Sequence, residues 1–324
     1  MVQVFFATDR SLTGKTNAAQ RFGDFPSTLS YGTCEVSIPR EHRMGELESP
    51  SILKFEFREN PAKHVMLLDA TLQPKDAYFA GLAARVRVSA RDSAFVFVHG
   101  YNVSFEGAAR RTAQMSYDLG FDGAPVFYSW PSRGQTLAYT IDEQSIELAE
   151  DNMKAFLSDF FARSDAKNVY LIAHSMGTRA LTRAVAALMT EQPELRPRLK
   201  EIILAAPDID ARVFKTRIAP ALVAAGRPVT LYASSKDLAL VASKRVHGYA
   251  RAGDSKSDLL VLPGVETIDA SAVDTSLLGH SYFAEENSVL SDLFYLVKDG
   301  KRADERFRLR GVNGPSGRYW QFRR

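Results

Sequence analysis

Residues 168–177 read Asn168-Val169-Tyr170-Leu171-Ile172-Ala173-His174-Ser175-Met176-Gly177, an apolar run that ends in a serine between small residues. The stretch from 177 to 190 has helical character, so the order is strand, serine, helix. That is the sequence form of a nucleophile elbow, a turn so tight that its flanking residues must be small and the serine Oγ stands clear of the sheet edge. Ala173 takes the first small position, where glycine is usual, and Gly177 keeps the second.

Working outward, short apolar runs alternate with longer amphipathic ones from residue 93 onward. Strands are expected at 94–98, 124–130, 168–172, 201–206, 228–233 and 264–269. Helices are expected near 104–119, 142–163, 177–190 and 285–298. In the second of these, Ile146, Ala149, Met153, Phe156, Leu157 and Phe160 recur at three-to-four spacing. Continuous apolar strands between helices indicate a mostly parallel, doubly wound α/β sheet covered on both faces. The first 70 residues instead offer strands at 2–7, 32–38, 52–57 and 64–72 between turn residues, which suits an antiparallel extension at one sheet edge. With no repeat, low-complexity tract or linker, the expectation is one domain: an N-terminal β extension (1–75), a core (76–300) and a tail (301–324). That tail is arginine-rich, and its alternating Tyr319, Trp320, Gln321 and Phe322 suit a terminal strand packed on the core.

Composition excludes several classes. The chain has 324 residues, 45% of them hydrophobic and 24% charged, as in ordinary globular proteins. A net charge of +3 is too mild to argue for nucleic acid or an anionic membrane. No window approaches the ~20 apolar residues of a membrane span. The first ten residues begin at once as a strand, without the pattern of an export signal. A soluble, cytoplasmic protein is expected as given, and a periplasmic or exported one if a signal was trimmed. The single cysteine, Cys34, lies in a strand-like segment and reads as a packed thiol; no histidine or cysteine cluster suggests zinc. Gly14-Lys15-Thr16 is a turn rather than a phosphate loop, because Asp9 stands where the upstream glycine would be. No nicotinamide fingerprint appears, so no cofactor or metal is expected.

A serine hydroxyl becomes nucleophilic only when a histidine takes its proton and a carboxylate orients that histidine. Two histidines follow Ser175. His280 comes after the last expected strand, as a base would; His247 precedes it, among basic residues, and reads as structural or loop-lining. For the acid, Asp237 lies just beyond strand 228–233, with Asp208, one strand earlier, as the alternative. The developing oxyanion needs preset N–H donors. Met176, at the start of the helix, and Tyr101, in the loop His99-Gly100-Tyr101-Asn102, are the candidates. His99 reads as a group that orients this loop rather than as the base. His99, Asn102, Trp130, Arg133 and His174 are candidates to line a substrate pocket. Arg133 could meet an acidic substrate group, and Trp130 could equally be a core tryptophan.

Phe97-Val98-His99-Gly100-Tyr101-Asn102, Tyr128-Ser129-Trp130-Pro131-Ser132, Ala173-His174-Ser175-Met176-Gly177, Ala205-Ala206-Pro207-Asp208 and Gly279-His280-Ser281-Tyr282 occur in this order, after an opening Val4-Phe5-Phe6-Ala7-Thr8-Asp9-Arg10. Jointly they resemble a bacterial α/β-hydrolase family of uncharacterised, esterase/lipase-like proteins. The resemblance spans nearly the whole chain. It implies the α/β-hydrolase fold and a Ser175–His280–Asp237 triad, with the amides of Tyr101 and Met176 as oxyanion donors. Members often carry an export signal or lipid anchor ahead of the first strand, and none is expected in the sequence as given. A small-molecule ester, of short or medium chain, is the expected substrate. A thioester, lactone or amide would suit the same triad, and a non-catalytic binding module on the same fold is the alternative class.

Overall fold

The computed structural model describes residues 1–50, 60–133, 139–235, 248–255, 259–273 and 289–323. Its described strands join in one sheet in the order β10-β11-β9-β8-β7-β6-β4-β5-β1-β2-β3. The strands are β1 (Val2–Leu12), β2 (Phe22–Ser37), β3 (Met66–Gln73), β4 (Ser93–Val98), β5 (Ala124–Ser129), β6 (Asn168–His174), β7 (Leu199–Ala205), β8 (Val229–Ala233), β9 (Val265–Asp269), β10 (Leu309–Gly314) and β11 (Gly317–Phe322). From β9 to β1 neighbouring strands run parallel. Their C-terminal ends therefore share one edge, where open α/β sheets place their ligands.

Two apolar layers cover the sheet. One packs α1 (Lys75–Arg87), α3 (Tyr139–Arg163), α4 (Gly177–Glu191) and the helical segment 214–225 against one face. The other packs α2 (Phe105–Asp118) and the helix Val289–Asp299 against the opposite face. Residues of β4 and β6 alternate between the layers, so both faces of these strands are buried, and that is why their sequences are continuously apolar. Ser104 caps α2 by accepting the Gly107 N–H at 3.1 Å.

The expected parallel core is present. Helix α1, which the sequence reading does not single out, follows Pro74 and buries Tyr78, Phe79, Leu82, Ala83 and Val86. Helix α3 begins at Tyr139, three residues earlier than expected. The expected strand 52–57 lies outside the described residues. The N-terminal region sits at one end of the sheet, but β1 itself runs parallel to β5, and only its other side pairs antiparallel with β2. Val4, Phe5, Phe6 and Ala7 are buried in succession, as in an interior strand.

The tail forms the β10–β11 hairpin, and β11 pairs parallel with β9 at the far end. It is anchored by Arg306, fully buried, whose guanidinium reaches Asp292 at 2.6 Å, Glu266 at 2.9 Å and the Tyr232 hydroxyl at 3.1 Å. Cys34 is buried, and burial pushes its thiol pKa up. No helix among the described residues is long and apolar enough to cross a membrane.

Candidate active site

Strand β6 delivers Ser175 to the shared edge with φ = +48°, a left-handed conformation that a side-chain-bearing residue adopts at a strain of roughly 1–3 kcal/mol. The surrounding backbone enforces it. The Ser175 N–H donates to the Ala205 carbonyl at 2.9 Å. Its own carbonyl accepts from the Thr178 hydroxyl at 2.6 Å, the Thr178 N–H at 3.1 Å and the Asp208 N–H at 3.3 Å. Helix α4 starts immediately, so the Met176 N–H belongs to the first turn, where amides have no intrahelical acceptor and the helix dipole favours negative charge.

Two glycines let neighbouring backbones close on the serine. A Cβ on Gly177 would stand 2.2 Å from the His99 carbonyl oxygen. A Cβ on Gly100 would stand 3.0 Å from Ser175 Cβ and 2.8 Å from His174 Nδ1. The requirement for small residues, read from sequence as a rule about the turn, thus has a specific cause: the β4 loop lies against the elbow. Asn102 completes that loop at φ = +60°, a region asparagine tolerates better than most residues. The Tyr101 ring is partly exposed and packs against Tyr139, centroids 5.3 Å apart.

Three of the expected pocket residues are occupied otherwise. His99 is wholly buried: its Nδ1 lies 2.8 Å from the Gly100 carbonyl and its Nε2 3.1 Å from Ser129 Oγ. Burial, with the Arg10 charge adding to it, pushes its pKa down to about 3, so the ring is neutral. Trp130 is also fully buried, stacks on the His99 ring at 5.1 Å and donates its indole N–H to the His99 carbonyl at 2.8 Å. It is the core tryptophan of the two readings. Arg133 lies with its guanidinium over the Phe25 ring at 4.7 Å and 3.7 Å from Asp24. A polar ring and a large indole can be expected near a loop from sequence, but which way they face depends on the strands that surround them.

Asp208, the alternative acid, is 1% exposed and held on both oxygens. Oδ2 accepts from the Tyr139 hydroxyl at 2.5 Å and lies 3.2 Å from Arg179; Oδ1 lies 3.2 Å from Arg251. Arg179 also donates to the Asp208 carbonyl at 2.6 Å. This cluster braces the loop after β7 against α3 and α4. Asp237, His280 and His247 lie outside the described residues.

Two supporting residues escape the sequence reading. Asp142, fully buried on α3, accepts from Ser132 Oγ at 2.6 Å and from the Arg133 N–H at 2.8 Å. Arg10, at the end of β1, donates to Ser129 Oγ at 2.8 Å and to the carbonyls of Gly23, Ser132 and Val103 at 3.0, 3.0 and 2.7 Å. For Arg10 the signal was present in the Thr8-Asp9-Arg10 and Ser129–Ser132 segments, but partners as distant as Val103, Ser129 and Ser132 cannot be paired with it from one sequence. Among the described residues no group of histidine, cysteine, aspartate and glutamate could hold a metal ion.

The model of a family described as "Alpha/beta hydrolase of unknown function (DUF900)" matches residues 75–297. No curated protein matches the chain in sequence. Among solved structures the chain is distantly similar to Aspergillus fumigatus lipase B, at 14% identity and TM-score 0.33, covering 55% of this chain and 44% of the lipase. It thus spans less than half the length of that enzyme. A predicted CIB-like hydrolase from Thermoplasma acidophilum is 13% identical, with TM-score 0.36 and coverage of 73% and 91%. The protein titled AbyA5 is 14% identical, with TM-score 0.32 and coverage of 76% and 58%.

Proposed function

This chain belongs to the alpha/beta hydrolase family of unknown function, and from that premise we propose that it is a serine hydrolase cleaving carboxylic esters of short or medium chain. The observation that carries the reading is Ser175 itself. It is held at positive φ at the start of a helix, with glycines where the chain must pass closest. A strained conformation that the surrounding hydrogen bonds over-determine is typical of functional positions.

In the proposed reaction the Ser175 hydroxyl gives its proton to His280 as its oxygen attacks the ester carbonyl. Asp237 holds the imidazole and stabilises the imidazolium. These two roles rest on chain order: Asp237 lies four residues past the end of β8 and His280 eleven past the end of β9. The N–H groups of Tyr101 and Met176 receive the oxyanion. Collapse of the tetrahedral intermediate breaks the bond to the alcohol oxygen, which leaves with the proton from His280. Water then loses a proton to the same histidine, attacks the acyl-enzyme and releases the acid, with the proton returned to Ser175.

Ser175→Ala should lower turnover of a short p-nitrophenyl ester by ~10⁴–10⁶ and abolish labelling by a fluorophosphonate probe. A purified variant that hydrolyses the ester at the parent rate would sink the proposal. Hydrolysis of thioesters, lactones or amides in preference would keep Ser175 and change only the bond.

A further inference from the structure

We propose that Arg10, acting through Ser129 and His99, is a positioning residue that sets the direction of the Tyr101 N–H in the oxyanion hole. The inference rests on the hydrolase reading above.

The chain of hydrogen bonds has a direction that its chemistry dictates. Arginine can only donate, so Arg10 Nε–H gives to Ser129 Oγ at 2.8 Å. A carbonyl can only accept, so the His99 nitrogen 2.8 Å from the Gly100 oxygen, Nδ1, must carry the ring's hydrogen. The ring is neutral, so Nε2 is left with a lone pair, and Ser129, already accepting from Arg10, gives it its hydroxyl hydrogen across 3.1 Å. The chain runs from guanidinium to hydroxyl, hydroxyl to imidazole and imidazole to carbonyl.

The last acceptor matters most. The Gly100 carbonyl belongs to the same planar peptide unit as the Tyr101 N–H. In a trans peptide these two bonds point in opposite directions, and no cis bond occurs among the described residues. Fixing the carbonyl on the His99 ring therefore aims the N–H away from it. The Gly100 α-carbon lies against Ser175, so that direction is set next to the nucleophile. Without the relay, nothing described holds the Gly100 carbonyl, and this glycine has no Cβ to limit rotation of the peptide. Arg10 also holds the loop after β4 through the Val103 carbonyl and the loop after β5 through the Ser132 carbonyl. Trp130 fixes the preceding peptide through the His99 carbonyl.

A misdirected oxyanion donor weakens binding of the transition state and leaves the substrate's ground state alone. Full removal of one such donor lowers kcat by ~10²–10³ in other enzymes. Ser129→Ala, which deletes one hydroxyl from the relay, should lower kcat on a p-nitrophenyl ester about 10–100-fold with KM within about twofold of the parent. Arg10→Met should lower it further, towards the full ~10²–10³. Thermal melts establish that each variant is folded; the small Ser129 deletion keeps the test open if the Arg10 variant is not. Independently of activity, ¹⁵N NMR of the histidine-labelled parent should show His99, identified by the signal lost in His99→Gln, as a neutral ring protonated on Nδ1. A ring protonated on Nε2, or folded Ser129→Ala with the parent's kcat, overturns the relay, as does an equal rise in KM that accounts for the whole loss. A parent that no fluorophosphonate labels overturns the hydrolase reading, and the catalytic role of the relay with it, while the NMR result still reports on the hydrogen-bond chain.

Discussion

Replacing Gly177 by alanine would put a methyl carbon 2.2 Å from the His99 carbonyl oxygen and 3.0 Å from that of Val98. A relaxed contact needs about 3.3 Å or more, so close to 1 Å must be found. Both obstacles are backbone, one at the end of β4 and one in the loop after it, and Gly177 itself begins α4. No side chain can rotate aside; the start of the helix and the loop must separate as bodies. Overpacking of this kind costs about 1–3 kcal/mol, and immovable neighbours place this case at the upper end. The same separation moves the Tyr101 amide relative to Ser175, and a 1 Å misplacement is worth about 10²-fold in rate. Urea unfolding of Gly177→Ala should show a loss of roughly 2–3 kcal/mol, with ester turnover down about 100-fold. Gly81→Ala is the matched control. It sits exposed in α1, its new Cβ would meet nothing nearer than 3.9 Å, and it should gain roughly 0.5–1 kcal/mol from helix propensity. A Gly177→Ala variant that keeps the parent's turnover and unfolds within about 0.5 kcal/mol of it would show that the helix start and the loop are not in rigid contact.

Other perturbations test the framework. Arg306→Met strips the cation from the buried Asp292 carboxylate, leaving Glu266 to Arg302, and should lower unfolding free energy by about 3–5 kcal/mol; a loss under 1 kcal/mol would show that the tail is held by other contacts. Asp9, on β1, has its pKa raised to about 6 by burial, above the ordinary 3.8. The folded state therefore holds this proton more tightly than the unfolded one, a stabilisation fully present below pH 3.8 and lost as pH rises through 6. Asp9→Asn should accordingly be more stable than the parent at pH 8, by on the order of 2–3 kcal/mol, with the advantage shrinking to nothing near pH 4. Unfolding curves across pH 4–8 measure this, and an advantage that does not change with pH would contradict it.

Much of the scaffold was readable from residues alone because its signals are local. Val96 and Phe97, or Leu171 and Ile172, bury opposite faces in succession, and only an interior strand of a covered sheet does that. The elbow was readable for the same reason, since Ala173, Ser175 and Gly177 sit within five residues. Helix α1 has a local signal too, with Tyr78, Phe79, Leu82, Ala83 and Val86 at helical spacing after Pro74. What stayed hidden depends on distant partners. Trp130 could be a pocket wall or core until β4 and β5 were side by side and put its indole over His99. Arg133 meets Asp24 and Phe25 of β2, neighbours that its own segment does not announce. Arg10 shows no role in its own segment, because its acceptors come from β5, from the loops after β4 and β5, and from β2.

The position of β1 between β5 and β2 bears on how this protein could be shortened. The recognised family region starts at residue 75, and a fragment trimmed to it would look like a minimal hydrolase on paper. Such a piece would bare the whole flank of β5 to water and to other chains, an open invitation to aggregate. It would also discard the guanidinium that grips the Val103 and Ser132 carbonyls. Residues 2–12 are thus an interior strand of the sheet that carries Ser175, and belong with the family region rather than outside it.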